Sequence, residues 1–153
     1  MRTWNHLSTV FFIGSLVLAT ESQAQTHEDS LGAYKALRHY ESLVARMESD
    51  SIASLFAADG QLMKSKSESL VGPAAVRSFL QSFSTYHVLQ HRMDCDSLFF
   101  SGSRVVQSGT YWQKVRIPSG DTLTVDGRFQ LEWQRSPNDI WRILRIRTVP
   151  TTK

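Results

Sequence analysis

Residues 40–60 read YESLVARMESDSIASLFAADG and decide how the rest of the chain is organised. Apolar residues up to position 47 recur with helical spacing, and those from 52 to 56 form the apolar face of a second, short helix. Asp50 is expected to cap that helix, since its carboxylate can accept hydrogen bonds from free backbone N–H groups. Asp59 and Gly60 are expected to end it. The stretch therefore predicts a long helix, a short helix and entry into a first strand.

The remaining sequence changes from helical to strand periodicity near residue 87. Before that point we expect a long first helix over residues 28–48, a short strand at 61–63 and a third helix opened by Gly72 and Pro73. Beyond it, apolar and polar residues alternate between turns rich in Gly, Pro, Ser, Asn and Asp. These segments predict four strands starting near residues 87, 104, 123 and 141. Helices followed by consecutive antiparallel strands indicate an α+β fold, with N-terminal helices packed on a strongly curved, cone-like antiparallel sheet.

The first 24 residues have the pattern of a secretory signal peptide. Arg2 supplies a positive charge, residues 7–19 form an apolar run, and Ser22 and Ala24 place small residues at the positions that a signal peptidase reads. The run is shorter than the roughly 20 residues that span a bilayer. We therefore expect cleavage after Ala24, one domain over residues 25–153, and a periplasmic or secreted mature protein without further membrane attachment. An uncleaved anchor is the alternative.

Charge and cysteine content restrict the partners. The 153 residues carry a formal net charge of +3 and a single cysteine, Cys95. The basic residues of the second half alternate with apolar ones, which is typical of a solvated sheet face and not of a nucleic-acid groove. Cys95 has no internal partner for a disulfide and is expected to be a buried apolar residue. We expect no nucleic-acid partner and no cofactor. We also expect no metal, because the histidines lack metal-ligand spacing.

Several segments resemble the nuclear transport factor 2-like superfamily, and more narrowly its SnoaL-like and ketosteroid isomerase-like branch. The resemblance covers nearly all of residues 25–153 and lies in the order of elements and in their spacing. It implies a sheet curled into a cone, with the long helix across its mouth and a ligand site in the interior. The segments are residues 40–60, LVGPAAVRSFL at 70–80, SGTYWQ at 108–113, GRFQLEW at 127–133 and WRILRI at 141–146.

The resemblance to ketosteroid isomerases extends to one of three catalytic positions. In those enzymes a tyrosine on the first helix donates to the developing enolate oxygen, an aspartate on the first strand moves the proton, and a protonated acid on a late strand assists. Tyr40 matches the tyrosine. The proton-moving aspartate is replaced by Lys64, and the second acid falls near Gly127, beside Asp126. Because a lysine replaces a carboxylate base only if burial lowers its pKa far, the resemblance does not imply steroid isomerisation.

The alternation of side chains between the two faces of each strand identifies further candidate ligand contacts. His91 is expected on the inner face of its strand and could act as an acid or a base near neutral pH. Arg145 would bind an anionic group such as a carboxylate if it faced inward, although one strand bulge would reverse its face. We expect Tyr40, His91 and Tyr111 to point into one interior cavity with Trp133 as its apolar floor. Gln113 is a further lining candidate, and Arg145 is a ligand contact if it faces inward.

Three functions agree with these patterns. The first is an exported pocket protein that binds a small apolar or amphipathic molecule and forms a homodimer through the outer sheet face. The second is an isomerase, dehydratase or cyclase in which the candidate catalytic residues are His91 as base and Tyr40 as oxyanion donor. The third is a protein-interaction module with a vestigial pocket. A carboxylate or imidazole facing Tyr40 across a cavity would favour the enzyme, and a cavity filled by Trp133 and Phe56 would favour the module.

Overall fold

The structure is a computed structural model that describes residues 14–64 and 67–151, with side chains from residue 27 onward. Its six strands form one sheet in the order β2-β1-β6-β5-β4-β3. Neighbouring strands are antiparallel, except that β1 and β6 are parallel. The predicted α+β fold, with helices before a curved and mostly antiparallel sheet, is confirmed. The elements are α1 (Gly14–Ala45), α2 (Ser49–Ser54), β1 (Phe56–Met63), β2 (Ser69–Val71), α3 (Gly72–Gln81), β3 (His87–Ser101), β4 (Arg104–Arg116), β5 (Thr122–Arg135) and β6 (Trp141–Pro150).

The described part of the chain divides into two compact units, one that ends at Leu31 and one that begins at Gly32. In the first unit, the described residues 14–31 are helical and belong to α1. The second unit contains the rest of α1 and every other element. The signal-peptide prediction lies outside the described residues over positions 1–13, and cleavage after Ala24 stays a prediction. None of the described helices combines the length and the apolar character needed to cross a membrane.

The core of the second unit joins one stripe of α1 to the inner face of the sheet. Leu37 and Leu43 of α1 are buried with the helical spacing that the sequence predicted. On β5 the predicted inner-face residues Phe129, Leu131 and Trp133 are all buried in the same cluster. Apolar periodicity therefore identified the inner face correctly along most of β5, because burial of apolar surface stabilises the fold. The exception is Leu123, which is 50% exposed at the start of the strand.

Two local predictions in the stretch 40–60 are wrong. Asp50 does not cap α2: the residue before the helix is Glu48, and Asp50 lies in the first turn, where it pairs with Arg77 at 2.7 Å. Gly60 does not end α2, which stops at Ser54, because β1 already runs from 56 to 63. Gly60 is needed for close backbone packing, since a Cβ atom there would lie 2.5 Å from the carbonyl oxygen of Ile143.

Strand bulges reverse three predicted side-chain orientations. The pairing of β3 with β4 shifts between Val88 and Gln90 and again between Cys95 and Ser97. As a result Leu89 and Phe99, which regular alternation would place on the same face as His91 and Met93, are 40% and 67% exposed. On β6, the residue opposite Trp133 is Ile143, but the residue opposite Glu132 is Arg145. Because β6 has one more residue than β5 between these two pairs, Arg145 lies on the face opposite to Ile143.

Candidate functional site

A buried amide links α1 to the centre of the sheet. Gln107 of β4 is fully buried, and its amide nitrogen donates to the Ala33 carbonyl oxygen at 3.2 Å. Its amide oxygen accepts the Trp133 indole N–H at 2.7 Å. The polar atom of Trp133 is therefore already occupied, and Trp133 can contribute only apolar surface to a site. The sequence signal was a glutamine within an inward-facing apolar pattern, and its role as an anchor was missed.

A second contact ties α1 to the edge of the sheet. β3 is an edge strand, and the backbone of Met93 would otherwise present an unpaired N–H and C=O there. Glu41 accepts the Met93 N–H at 3.1 Å, while Arg38 donates to the Met93 carbonyl oxygen and pairs with Glu41. Together with Gln107, this contact determines where α1 places Tyr40. Neither Arg38 nor Glu41 was a sequence candidate.

Tyr40 and Tyr111 are brought into one buried cluster, which also contains Trp133. Burial raises the pKa of Tyr40 to about 12. Burial, followed by the negative charge of Asp126, raises the pKa of Tyr111. Both phenols therefore keep their protons at neutral pH, and either hydroxyl can donate a hydrogen bond to a ligand.

His91 is a further polar residue of the sheet and lies outside the buried cluster that holds Tyr40 and Tyr111. It lies on β3 opposite Gln113 of β4. Both ring nitrogens are buried, and neither makes a hydrogen bond within the part of the chain that the structure describes. Burial lowers the pKa of His91 to about 4, while the Gln113 side chain, too poorly placed for a full hydrogen bond, opposes the shift. Because buried polar groups usually have partners, the neutral imidazole is an unused hydrogen-bonding group.

Acid should therefore destabilise the protein through His91. The unfolded chain binds a proton at this imidazole below pH 6.5, and the folded chain does so only below about pH 4. Between these values the unfolded state binds more protons, so stability is lost as the pH falls through that window, by roughly 2–3 kcal/mol. We expect His91→Phe to remove this part of the pH dependence in urea unfolding curves at constant ionic strength. The control His87→Phe, at an exposed position of the same strand, should keep it, and equal profiles for both variants would refute the assignment.

The described residues line several concave regions, of which two concern the candidate residues. At the edge of β3, an open depression of about 760 Å³ includes His91, Ala45 and Trp112 in its lining. On the opposite, outer face of the sheet lies a second region of about 300 Å³, called here the outer cavity. Arg145 belongs to the outer cavity. It therefore does not face inward, which was the condition for its contact with an interior ligand, and the β6 bulge explains why. The outer cavity is lined by Gln61, Met63, Val106, Gln130, Glu132, Arg145 and Arg147.

The acid positions of ketosteroid isomerases are not restored by neighbouring residues. Lys64 is exposed and pairs with Glu68. At Gly127 a Cβ atom would lie 2.1 Å from the Val149 carbonyl oxygen and 2.9 Å from the Tyr111 ring, so a carboxylic acid does not fit there. Within residues 14–64 and 67–151, no group of three or more His, Cys, Asp or Glu side chains could hold a metal ion.

Comparisons with known proteins agree with this architecture. A ketosteroid isomerase-like protein from Erwinia carotovora atroseptica SCRI1043 has a TM-score of 0.69 at 15% identity, covering 78% of this chain and 94% of its own. An NTF2-like protein with a cystatin-like fold from Novosphingobium aromaticivorans has a TM-score of 0.70 at 14% identity, covering 88% and 90%. A nuclear transport factor 2-like superfamily protein from Salmonella enterica serovar Typhimurium has a TM-score of 0.70 at 14% identity, covering 84% and 94%.

At these identities the structural matches show the fold alone. No curated protein matches the chain in sequence. The SnoaL-like domain family, in contrast, matches residues 25–147, which is most of the chain. The chain therefore belongs to the SnoaL-like domain family and has the nuclear transport factor 2-like fold.

Proposed function

We propose that this protein binds a small apolar or amphipathic molecule in the interior between α1 and the sheet. The observation that carries the proposal is the buried His91 imidazole, whose two nitrogens have no partner within the described residues. A ligand with one polar group could supply that partner, and the buried Tyr40 and Tyr111 offer further hydrogen bonds beside apolar surface. Gln113, opposite His91, would be a polar contact at the end of the site.

The same observations favour binding over catalysis. A general base works best when its pKa lies near the working pH, whereas burial lowers the pKa of His91 to about 4. Lys64 is exposed, and Gly127 leaves no room for an acid. The enzyme alternative, an isomerase, dehydratase or cyclase, is supported by Tyr40, whose phenol stays protonated as an oxyanion donor must. The enzyme alternative requires a ligand that raises the pKa of His91 on binding.

The test is ligand retention by the natively purified protein, followed by native mass spectrometry. We expect a small molecule to be released on denaturation, and His91→Phe to lose it, because phenylalanine fills the space without offering a nitrogen. The matched variant His87→Phe, at an exposed position of β3, should retain it. Retention of the same molecule by His91→Phe would contradict the proposal.

Tyr40→Phe separates binding from stability. We expect the free energy of unfolding to change by less than about 1 kcal/mol, since the ring stays buried and only the hydroxyl is lost. Affinity for the retained molecule should fall by the value of one hydrogen bond, about 0.5–1.5 kcal/mol, or about 2- to 12-fold. Isothermal titration calorimetry and urea unfolding measure the two quantities. Unchanged affinity would exclude Tyr40 from the site, and a loss of activity on a substrate without a loss of affinity would support the enzyme alternative.

Export and self-association complete the proposal. The signal-peptide pattern supports cleavage after Ala24 and a periplasmic or secreted location. N-terminal sequencing of the exported form should begin at or near Gln25, and recovery of the uncleaved chain in the membrane fraction would contradict this.

A homodimer through the outer sheet face is supported by Phe99, Trp112 and Val149, which are 67%, 37% and 46% exposed. Analytical ultracentrifugation tests it, since a monomer at micromolar concentration would exclude the dimer.

A further inference from the structure

We propose that the outer cavity is a second binding site, selective for a small organic carboxylate that carries a short apolar tail. This proposal is independent of the interior site, because the outer cavity lies on the opposite face of the sheet. It rests on the ion pairing of the arginines on that face, on the charge of the cavity lining, and on the arrangement of its amide and apolar side chains.

Two arginines in the outer cavity lack the partners that their neighbours have. Arg145 and Arg147 project from the same side of β6, about 6–7 Å apart along the strand. Neither forms an ion pair with any residue that the structure describes. Elsewhere on the outer face, Arg92, Arg104 and Arg128 each have a carboxylate partner, at 2.8, 3.4 and 2.6 Å. Both guanidinium groups therefore line a concave surface without an ion pair to a described residue, and their planar geometry suits a carboxylate.

The net charge of the outer cavity lining favours a ligand with one negative charge over a ligand with two. Two arginines and one glutamate line the outer cavity, which gives +2 − 1 = +1. Glu132 is the residue opposite Arg145 in the strand pairing, yet its carboxylate is directed to Arg104 at 3.4 Å. Glu132 would repel a dianion such as sulfate more strongly than a monoanion, while Arg145 and Arg147 remain available to the monoanion. The lining is therefore matched to one carboxylate.

The remaining side chains explain the apolar tail. Met63 of β1 and Val106 of β4 supply hydrocarbon surface, and Gln61 and Gln130 supply amide donors. A volume of about 300 Å³ lies at the lower end of the range of ligand pockets. A molecule of this size can have only a few carbons beyond its carboxylate. This chemistry differs from that of the interior, where Tyr40, His91 and Tyr111 carry no full charge at neutral pH.

The experiment compares three probes at pH 7 and constant ionic strength: hexanoate, its neutral counterpart hexanamide, and the dianion sulfate. Binding is followed by NMR through the side-chain amide signals of Gln61 and Gln130. We expect hexanoate to shift both signals saturably, and the other two probes to bind at least about tenfold more weakly, because hydrogen bonds to charged groups are the stronger ones. Equal binding of hexanamide, equal or tighter binding of sulfate, or no change at Gln61 and Gln130 would each overturn the proposal.

Variants locate the site. The double variant Arg145→Gln/Arg147→Gln should weaken hexanoate binding at least about tenfold. Arg116→Gln, which removes an exposed arginine outside the outer cavity, is the matched control and should bind as the parent does. His91→Phe should leave hexanoate binding intact, so failure of the interior site and failure of the outer cavity are distinguishable. Unchanged hexanoate binding by the double variant, with its fold verified by thermal unfolding, would refute the assignment.

Discussion

Phe129→Ala is expected to lower the free energy of unfolding by about 3–5 kcal/mol. The Phe129 ring is 3% exposed and belongs to the main core cluster. Removing it takes a large apolar surface out of the core and leaves a cavity that the surrounding strands can close only in part. Since a domain has only about 5–15 kcal/mol of stability, the variant should unfold at much lower urea concentration. Urea unfolding followed by tryptophan fluorescence measures the change.

Leu123→Ala is the matched control for this prediction. Leu123 lies on the same strand and was assigned to the same face by its alternation, but it is 50% exposed. Its truncation should cost less than about 1 kcal/mol, because surface substitutions rarely have larger effects. If the two variants were equally destabilised, or if Phe129→Ala lost less than about 1 kcal/mol, the assignment of the inner face of β5 would be wrong.

Gly109→Ala is expected to cost about 3 kcal/mol, although it adds a single methyl group. A Cβ atom at Gly109 would lie 1.9 Å from the carbonyl oxygen of Asp94 on β3 and 2.8 Å from Cε1 of Phe129. The first neighbour is backbone, so β3 itself would have to move away from β4. Gly109 and Phe129 are also direct partners in the pairing of β4 with β5. The phenylalanine ring therefore covers the glycine, and both residues belong to one packing unit.

Gly120→Ala provides the comparison for the methyl group alone. Gly120 lies in a turn with φ +92° and has no atom within 4 Å of a Cβ position. Its substitution should cost about 1 kcal/mol for the left-handed backbone, without a clash. The difference between the losses of unfolding free energy in the two variants measures the cost of the close approach of β3 to β4 at Gly109. Chemical denaturation of both variants tests it, and a loss for Gly109→Ala no larger than that for Gly120→Ala would refute the tight β3–β4 contact.

Much of the fold was predictable because apolar periodicity reports burial directly. The helical spacing of Leu37, Tyr40 and Leu43 identified the buried stripe of α1, and all three are buried. Alternation also identified the inward face of β4, where Val105 and Tyr111 are buried. These predictions held because each depends on neighbours three, four or two positions away in the same element.

The site was less predictable, and Gln107 illustrates why. The alternation along β4 predicted that the Gln107 side chain faces inward. Its partners, the Ala33 carbonyl and the Trp133 indole, are however 74 and 26 residues away in the chain. The same holds for Glu41, whose carboxylate accepts the Met93 N–H from a distance of 52 residues. No local pattern encodes which of several inward-facing groups will meet. A glutamine within an apolar alternation was the available signal.

By itself, the sequence determined the α+β class, the order of the helices and strands, the resemblance to the SnoaL-like family and the inward position of Tyr40 and Tyr111. Only the tertiary structure decided that Arg145 faces outward beside Arg147, because a bulge arises from the pairing of β6 with β5 and leaves the local alternation of residue types unchanged. Only the tertiary structure decided that His91 is neutral and has no hydrogen-bond partner among the described residues, because its pKa depends on burial by elements distant in the chain.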